Sequence, residues 1–174
     1  GKETTPTATF AATGPDSGTL RNLVSGGKYA VTGAATTNFT ASGTTHNLTG
    51  VAAGTLSIVK KGDGITMTDS TAQTIPVAKA ATPSTVTAVG CTTSSNNDGK
   101  LKNVTTDMEY QKSGAGSWTD CGGPDGTGLI NGTYLVRVKA TGTELASDSQ
   151  TVTINAFGTT PAAVPDASFT ATGR

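Results

Sequence analysis

A nucleophilic or metal-bound centre in this 174-residue chain has few side chains to draw on: one histidine, His46, and two cysteines, Cys91 and Cys121. A Ser-His-Asp arrangement would have to use His46. No Gly-x-Ser-x-Gly elbow accompanies it, and Thr44-Thr45-His46-Asn47 reads as an exposed loop. Structural zinc needs about four nitrogen or sulfur ligands, and neither cysteine lies in a Cys-x-x-Cys pair. The two cysteines therefore form either a disulfide or two separate thiols; a bridge would close a loop of about 30 residues and contribute about 3–4 kcal/mol on the chain-entropy account. Glycoside hydrolysis needs two carboxyl groups facing one cleft. The candidate pairs, Asp107 with Glu109 and Asp98 with Asp125, lie in turn-like sequence and read as turn residues and surface charge. Calcium takes six to eight oxygens, whereas Asn96-Asn97-Asp98-Gly99 and Gly62-Asp63-Gly64 each offer one carboxylate. No Gly-Lys is followed by Ser or Thr, as a phosphate loop requires. The sequence nominates no catalytic, cofactor-binding or metal-binding residue, and no cofactor.

The elements that would position any such residue are strands. Thr occurs 36 times and Gly 23 times, and charged residues make up 14% of the chain. Twelve basic side chains balance twelve acidic ones, so nothing attracts a nucleic acid or an anionic membrane electrostatically. β-Branched threonine suits pleated sheet, and no segment carries an apolar stripe of helical period. No run approaches the 18 or so apolar residues of a membrane span. The expected class is all-β.

Self-comparison divides the chain. Gly18-Thr19-Leu20-Arg21-Asn22-Leu23 returns as Gly99-Lys100-Leu101-Lys102-Asn103-Val104, and Lys28-Tyr29 as Glu109-Tyr110. Ala72-Gln73-Thr74-Ile75 matches Ser149-Gln150-Thr151-Val152, and both copies open with Thr-Pro, at Thr5-Pro6 and Thr82-Pro83. Two domains follow, residues 5–80 and 82–157, joined near 79–82. Residues 167–173 resemble residues 8–14, so 160–174 reads as the start of a third repeat or a terminal strand.

Turn signals recur at intervals of about 8–12 residues. In the second repeat they bound strands at 85–89, 100–104, 108–112, 133–140 and 149–154, with Trp118 opening another and Asn131-Gly132 forming a hairpin turn. Roughly seven short strands in about 75–80 residues fit a small immunoglobulin-like or fibronectin-type-III-like sandwich. So small a domain depends heavily on its large core residues. Tyr110, Trp118 and Tyr134 are expected in the second core; Tyr29, Phe39 and Leu56 take matching places in the first. Trp118→Ala is then expected to cost about 3–5 kcal/mol.

Glu109-Tyr110 with Ser117-Trp118-Thr119-Asp120, and the run from Gly132 to Gly142 with Ala146-Ser147-Asp148, resemble segments of tandem immunoglobulin-like repeats in Gram-positive bacterial cell-wall- or S-layer-associated proteins. The resemblance spans nearly all of 82–157 and, more weakly, 5–80. It implies an extracellular, cell-surface, non-catalytic spacer or adhesive module, with cell-wall or extracellular polysaccharide, or a host or surface protein, as partner. Such modules also accompany polysaccharide-active enzymes, so the alternative is a carbohydrate-binding accessory module, which would need exposed aromatic rings. The expected state is a monomer with no nucleic-acid partner and no membrane span, its two modules flexing about a short linker.

Overall fold

The structure, a computed structural model, describes residues 1–158. Its regular elements there are all strands. The first seven are β1 (Thr9–Ala12), β2 (Ser17–Arg21), β3 (Lys28–Gly33), β4 (Thr37–Thr40), β5 (His46–Thr49), β6 (Gly54–Lys61) and β7 (Gln73–Lys79). They form two antiparallel sheets, one in the order β1-β2-β5 and the other β7-β6-β3-β4. The remainder are β8 (Thr87–Val89), β9 (Gly99–Lys102), β10 (Met108–Lys112), β11 (Thr119–Asp120), β12 (Asp125–Leu129), β13 (Gly132–Val138), β14 (Glu144–Leu145) and β15 (Gln150–Ile154). With β14 set aside, they repeat the same plan, as β8-β9-β12 facing β15-β13-β10-β11. Three strands packed on four, twice over, give two tandem immunoglobulin-like β-sandwiches.

Alternation along each strand sends one side inward. In β6, Leu56 and Ile58 are completely buried. In β13, Tyr134 and Val136 are buried while Thr133 is exposed and Arg137 only partly covered. The first core includes Phe10, Leu20, Tyr29, Val31, Leu56 and Ile58; the second includes Val86, Leu101, Val104, Tyr134, Val136 and Ile154.

The same joinery recurs in both sandwiches. Gln73 clasps the residue just before β1, accepting from Ala8 N at 2.8 Å and donating to Ala8 O at 2.7 Å. Gln150 does the same to Val86, at 3.2 and 2.8 Å. Buried Ser70 accepts from Lys60 N, and buried Ser147 from Val138 N, each at 2.9 Å. Gly18 and Gly99 face inward on matching strands: a Cβ at Gly99 would stand 2.4 Å from Ile154 Cγ2, and one at Gly18 2.2 Å from the Phe10 ring.

One feature of immunoglobulin-like sandwiches stands out in the second copy. Tyr134, near the start of β13, donates its hydroxyl to Ile130 O, four residues upstream, at 2.7 Å. This is the tyrosine corner that anchors the crossing between sheets. It also corrects the hairpin expected at Asn131-Gly132: β12 and β13 lie in different sheets, so the chain crosses over there. The anticipated third-repeat strand at 160–174 lies outside the described residues.

Candidate functional site

The feature that sets this pair apart is the junction between its sandwiches. Between β13 and β15 of the second sandwich, residues 141–148 reach back and place β14 in parallel beside β7 of the first. Glu144 lies opposite Ala78 and Leu145 opposite Lys79. Ala78 N donates to Thr143 O at 3.1 Å and Ala80 N to Leu145 O at 3.0 Å. Ala12 N donates to Gly142 O at 2.8 Å, and Ala146 N to Gly14 O at 3.0 Å. Lys79 Nζ meets Asp148 at 2.7 Å.

The Leu145 side chain is fully buried and belongs to the first sandwich's core, not its own. A leucine lodged there removes apolar surface from water and ties the stability of one sandwich to a loop of the other. The default of free flexing about a linker gives way to main-chain hydrogen bonding plus a shared core residue.

The aromatic residues nominated from sequence divide into three environments. Tyr29 and Tyr134 are buried. Phe39 and Tyr110 pack partly buried against the two cores, with Tyr110 edge-on to Tyr134 at 6.0 Å. Trp118 corrects the expectation of a core tryptophan. It is partly exposed, outside the second core, with the Arg137 guanidinium carbon 3.8 Å from its ring centroid. The reason is positional: Trp118 precedes β11, a two-residue edge strand.

His46 is likewise not in a loop but on β5, where it pairs with Leu20. Its ring stacks on Phe39 at 3.6 Å with planes 2° apart, and Phe39 stacks on Tyr29 at 5.5 Å. Desolvation holds the His46 pKa below its ordinary value, so the ring is neutral at pH 7 and joins the edges of the two sheets as an aromatic plate. The His46 ring therefore covers one face of Phe39.

Cys91 and Cys121 are both buried free thiols. Cys91 N donates to Asn155 O, next to the Ile154 that pairs with Gly132. Cys121 N donates to Met108 O, and Met108 pairs with Val138. The cysteines thus flank opposite ends of β13, separated by about 20 Å of strand, and a disulfide needs Cα atoms within about 7 Å. Of the two options the sequence left open, the structure holds separate thiols. Desolvation pushes Cys121 up to about 11, so it is protonated and unreactive near neutrality.

Three of the four candidate carboxylates are engaged separately. Glu109 accepts from Arg137 at 2.7 Å, and Asp125 from Lys102 at 2.7 Å. Asp98 accepts from the Thr92 hydroxyl and amide, and the hydroxyl bond is the main cause of its pKa falling to about 2. Among the described residues no group of three or more His, Cys, Asp or Glu could hold a metal ion. An open groove of about 750 Å³ beside β3 and β4 is lined by Lys28, Tyr29, Asn38, Phe39, Thr40 and Lys61. It carries no acid pair.

No protein-family description matches the chain, and no curated protein matches it. Solved structures do. A two-domain fibronectin type-III segment from chicken tenascin is 15% identical, with 86% of this chain and 98% of that one covered and a TM-score of 0.33. The first three fibronectin domains of chicken CNTN1 are 10% identical, with 86% and 65% covered and a TM-score of 0.27. Likeness at this distance carries no weight for function; strand order, register and the tyrosine corner define the fold. Sequence reasoning missed the site itself, Leu145. Its only signal was an isolated leucine in a polar loop, Thr-Glu-Leu-Ala-Ser.

Proposed function

We propose that this chain is a non-catalytic spacer or adhesive module whose two sandwiches, residues 5–80 and 82–157, form one mechanical body through the Leu145 interlock. The observation that carries this reading is Leu145, contributed by the second sandwich and fully buried in the core of the first. A spacer must hold a direction between its ends, and a junction with both a core residue and main-chain bonds does so. The resemblance of residues 132–142 and 146–148 to bacterial surface repeats supports an extracellular, cell-surface setting.

Small-angle scattering tests the reading. A compact globule of 174 residues has a radius of gyration of about 16 Å. The proposal expects a larger value from two sandwiches in line, and expects it to stay the same from low to high salt. A value near that of a globule would overturn it.

A carbohydrate-binding role has one residue in its favour, since Trp118 is partly exposed. Glycan retention abolished by Trp118→Ala would support that role, and absence of retention would dispose of it.

A further inference from the structure

The seat that residues 141–148 take on the end of β7 is formed a second time in the first sandwich, between residues 1–3 and the loop 62–71. Gly1-Lys2-Glu3-Thr4-Thr5-Pro6 aligns with Ala78-Lys79-Ala80-Ala81-Thr82-Pro83, the lysine and the Thr-Pro pair falling in the same places. Lys2 forms a parallel bridge to Thr68, as Lys79 does to Leu145, at a common offset of 77 residues. Gly1 N donates to Thr66 O at 2.6 Å where Ala78 N donates to Thr143 O at 3.1 Å. Glu3 N donates to Thr68 O at 2.9 Å where Ala80 N donates to Leu145 O at 3.0 Å. Lys2 Nζ reaches Thr71 Oγ1 at 3.0 Å where Lys79 Nζ reaches Asp148 at 2.7 Å. An ion pair of 2.7 Å between Glu3 and Lys60 holds the segment down. Residues 1–3 are thus the equivalent of the end of β7, already laid along the loop.

The loop itself follows the plan of residues 141–148. Gly64 N donates to Met67 O at 3.2 Å as Thr141 N does to Glu144 O at 2.9 Å. Asp63 accepts from the amides of Ile65, Thr66 and Met67 at 2.9, 2.8 and 2.8 Å, which fixes the turn from within. Across the existing junction, Gly142 O accepts from Ala12 N, Leu145 enters the first core, and Ala146 N donates to Gly14 O. The matching positions are Ile65, Thr68 and Asp69. Ile65 is 91% exposed, and Thr68 is exposed too. The Thr68 hydroxyl donates to Gly1 O at 3.4 Å, so its polar atom has a partner inside the seat. Asp69 brings a carboxylate to the place of Ala146, but Lys61 Nζ and Gly62 N hold it on its own loop. Val24, a further exposed apolar residue, lines a groove with Glu3 and Asp63.

We infer that the loop 62–71 is a docking surface for a further sandwich of this same repeat on the amino-terminal side of Gly1, with residues 1–3 as the end of that sandwich's last strand. The equivalents of Ala12 and Gly14 in that sandwich bond Ile65 O and Asp69 N, and Ile65 and the Thr68 methyl are covered. Threonine at the place of Leu145 makes this plug smaller than the one at the existing junction. Ile65, where the junction has Gly142, adds apolar surface for burial at its rim. A sandwich joined in the same chain acts at an effective concentration of the order of millimolar. This inference rests on the interlock reading of the junction.

The test is an extended chain with a second copy of residues 1–77 placed directly ahead of Gly1, so that Gly1, Lys2 and Glu3 follow Val77 as Ala78, Lys79 and Ala80 do. The added copy carries Ile65→Val, which lets mass spectrometry tell the two loops apart. Amide hydrogen exchange then compares the original loop with and without the added sandwich. Docking predicts at least about tenfold slower exchange at Asp69 of the original loop, whose counterpart Ala146 donates across the existing junction. Ile65→Asp in the original loop changes a side chain that is exposed in the parent chain, so the sandwich keeps its fold, and this variant is expected to reverse the slowing. Unchanged exchange at Asp69, with β6 of the added copy protected, would overturn the inference while leaving the interlock standing. Fast exchange at Ala146 in the parent chain would overturn both.

Discussion

Trp118 lies over Arg137, and Arg137 in turn donates to Glu109. A cation over an indole face contributes about 0.5–2 kcal/mol depending on exposure. Trp118→Ala is therefore expected to cost about 1–2 kcal/mol in a urea melt, below the 3–5 kcal/mol of a core aromatic; a loss in the higher range would put Trp118 back in the core. The type of the residue pointed inward and its position decided otherwise, because an edge strand of two residues cannot bury a large ring. The cysteines give a second residue-level expectation. Without reductant the intact mass should correspond to two thiols, and Cys121 should label slowly with iodoacetamide at pH 7 and quickly in urea. A mass lower by two protons would contradict the separation of the two sites along β13.

Among the elements, those whose pattern is local were legible in the sequence. The strand expected at 108–112 is β10, and the one at 149–154 is β15 to within a residue. Alternation on β13 was readable because Tyr134 and Val136 share one face of a single strand. β12 escaped notice because Asp-Gly-Thr-Gly-Leu lacks alternation and its register shifts at a bulge, with Gly128 at a φ of 72°. β14 escaped for a deeper reason: its partner lies in the other sandwich, so nothing within its own neighbourhood encodes pairing. The loop between β8 and β9 carries a pH dependence of its own. Asp98 has its pKa lowered from 3.8 to about 2 chiefly by Thr92. A depressed carboxylate stabilises the fold fully above the unfolded value and loses that contribution as pH falls through the folded one. Stability is therefore expected to drop between about pH 4 and pH 2, and Asp98→Asn should flatten that part of the curve. An unchanged acid limb in the variant would mean that other groups govern it.

Across the whole molecule, repetition explains more than any single motif. The same clasp by Gln73 and Gln150, and the same buried hydroxyl at Ser70 and Ser147, show one plan executed twice. The junction adds what a single copy lacks, since residues 141–148 complete a neighbour's sheet and core. Thr5-Pro6 and Thr82-Pro83 marked the two beginnings in the sequence, yet only the fold shows that Leu145 crosses between them. The most direct test of that crossing is amide hydrogen exchange in Leu145→Ala. Removing a fully buried leucine costs about 2–5 kcal/mol, and that loss should appear on β6 of the first sandwich, at Leu56 and Ile58. β6 exchanging as in the parent chain, with protection lost only across residues 141–148, would show that the two sandwiches do not share a core.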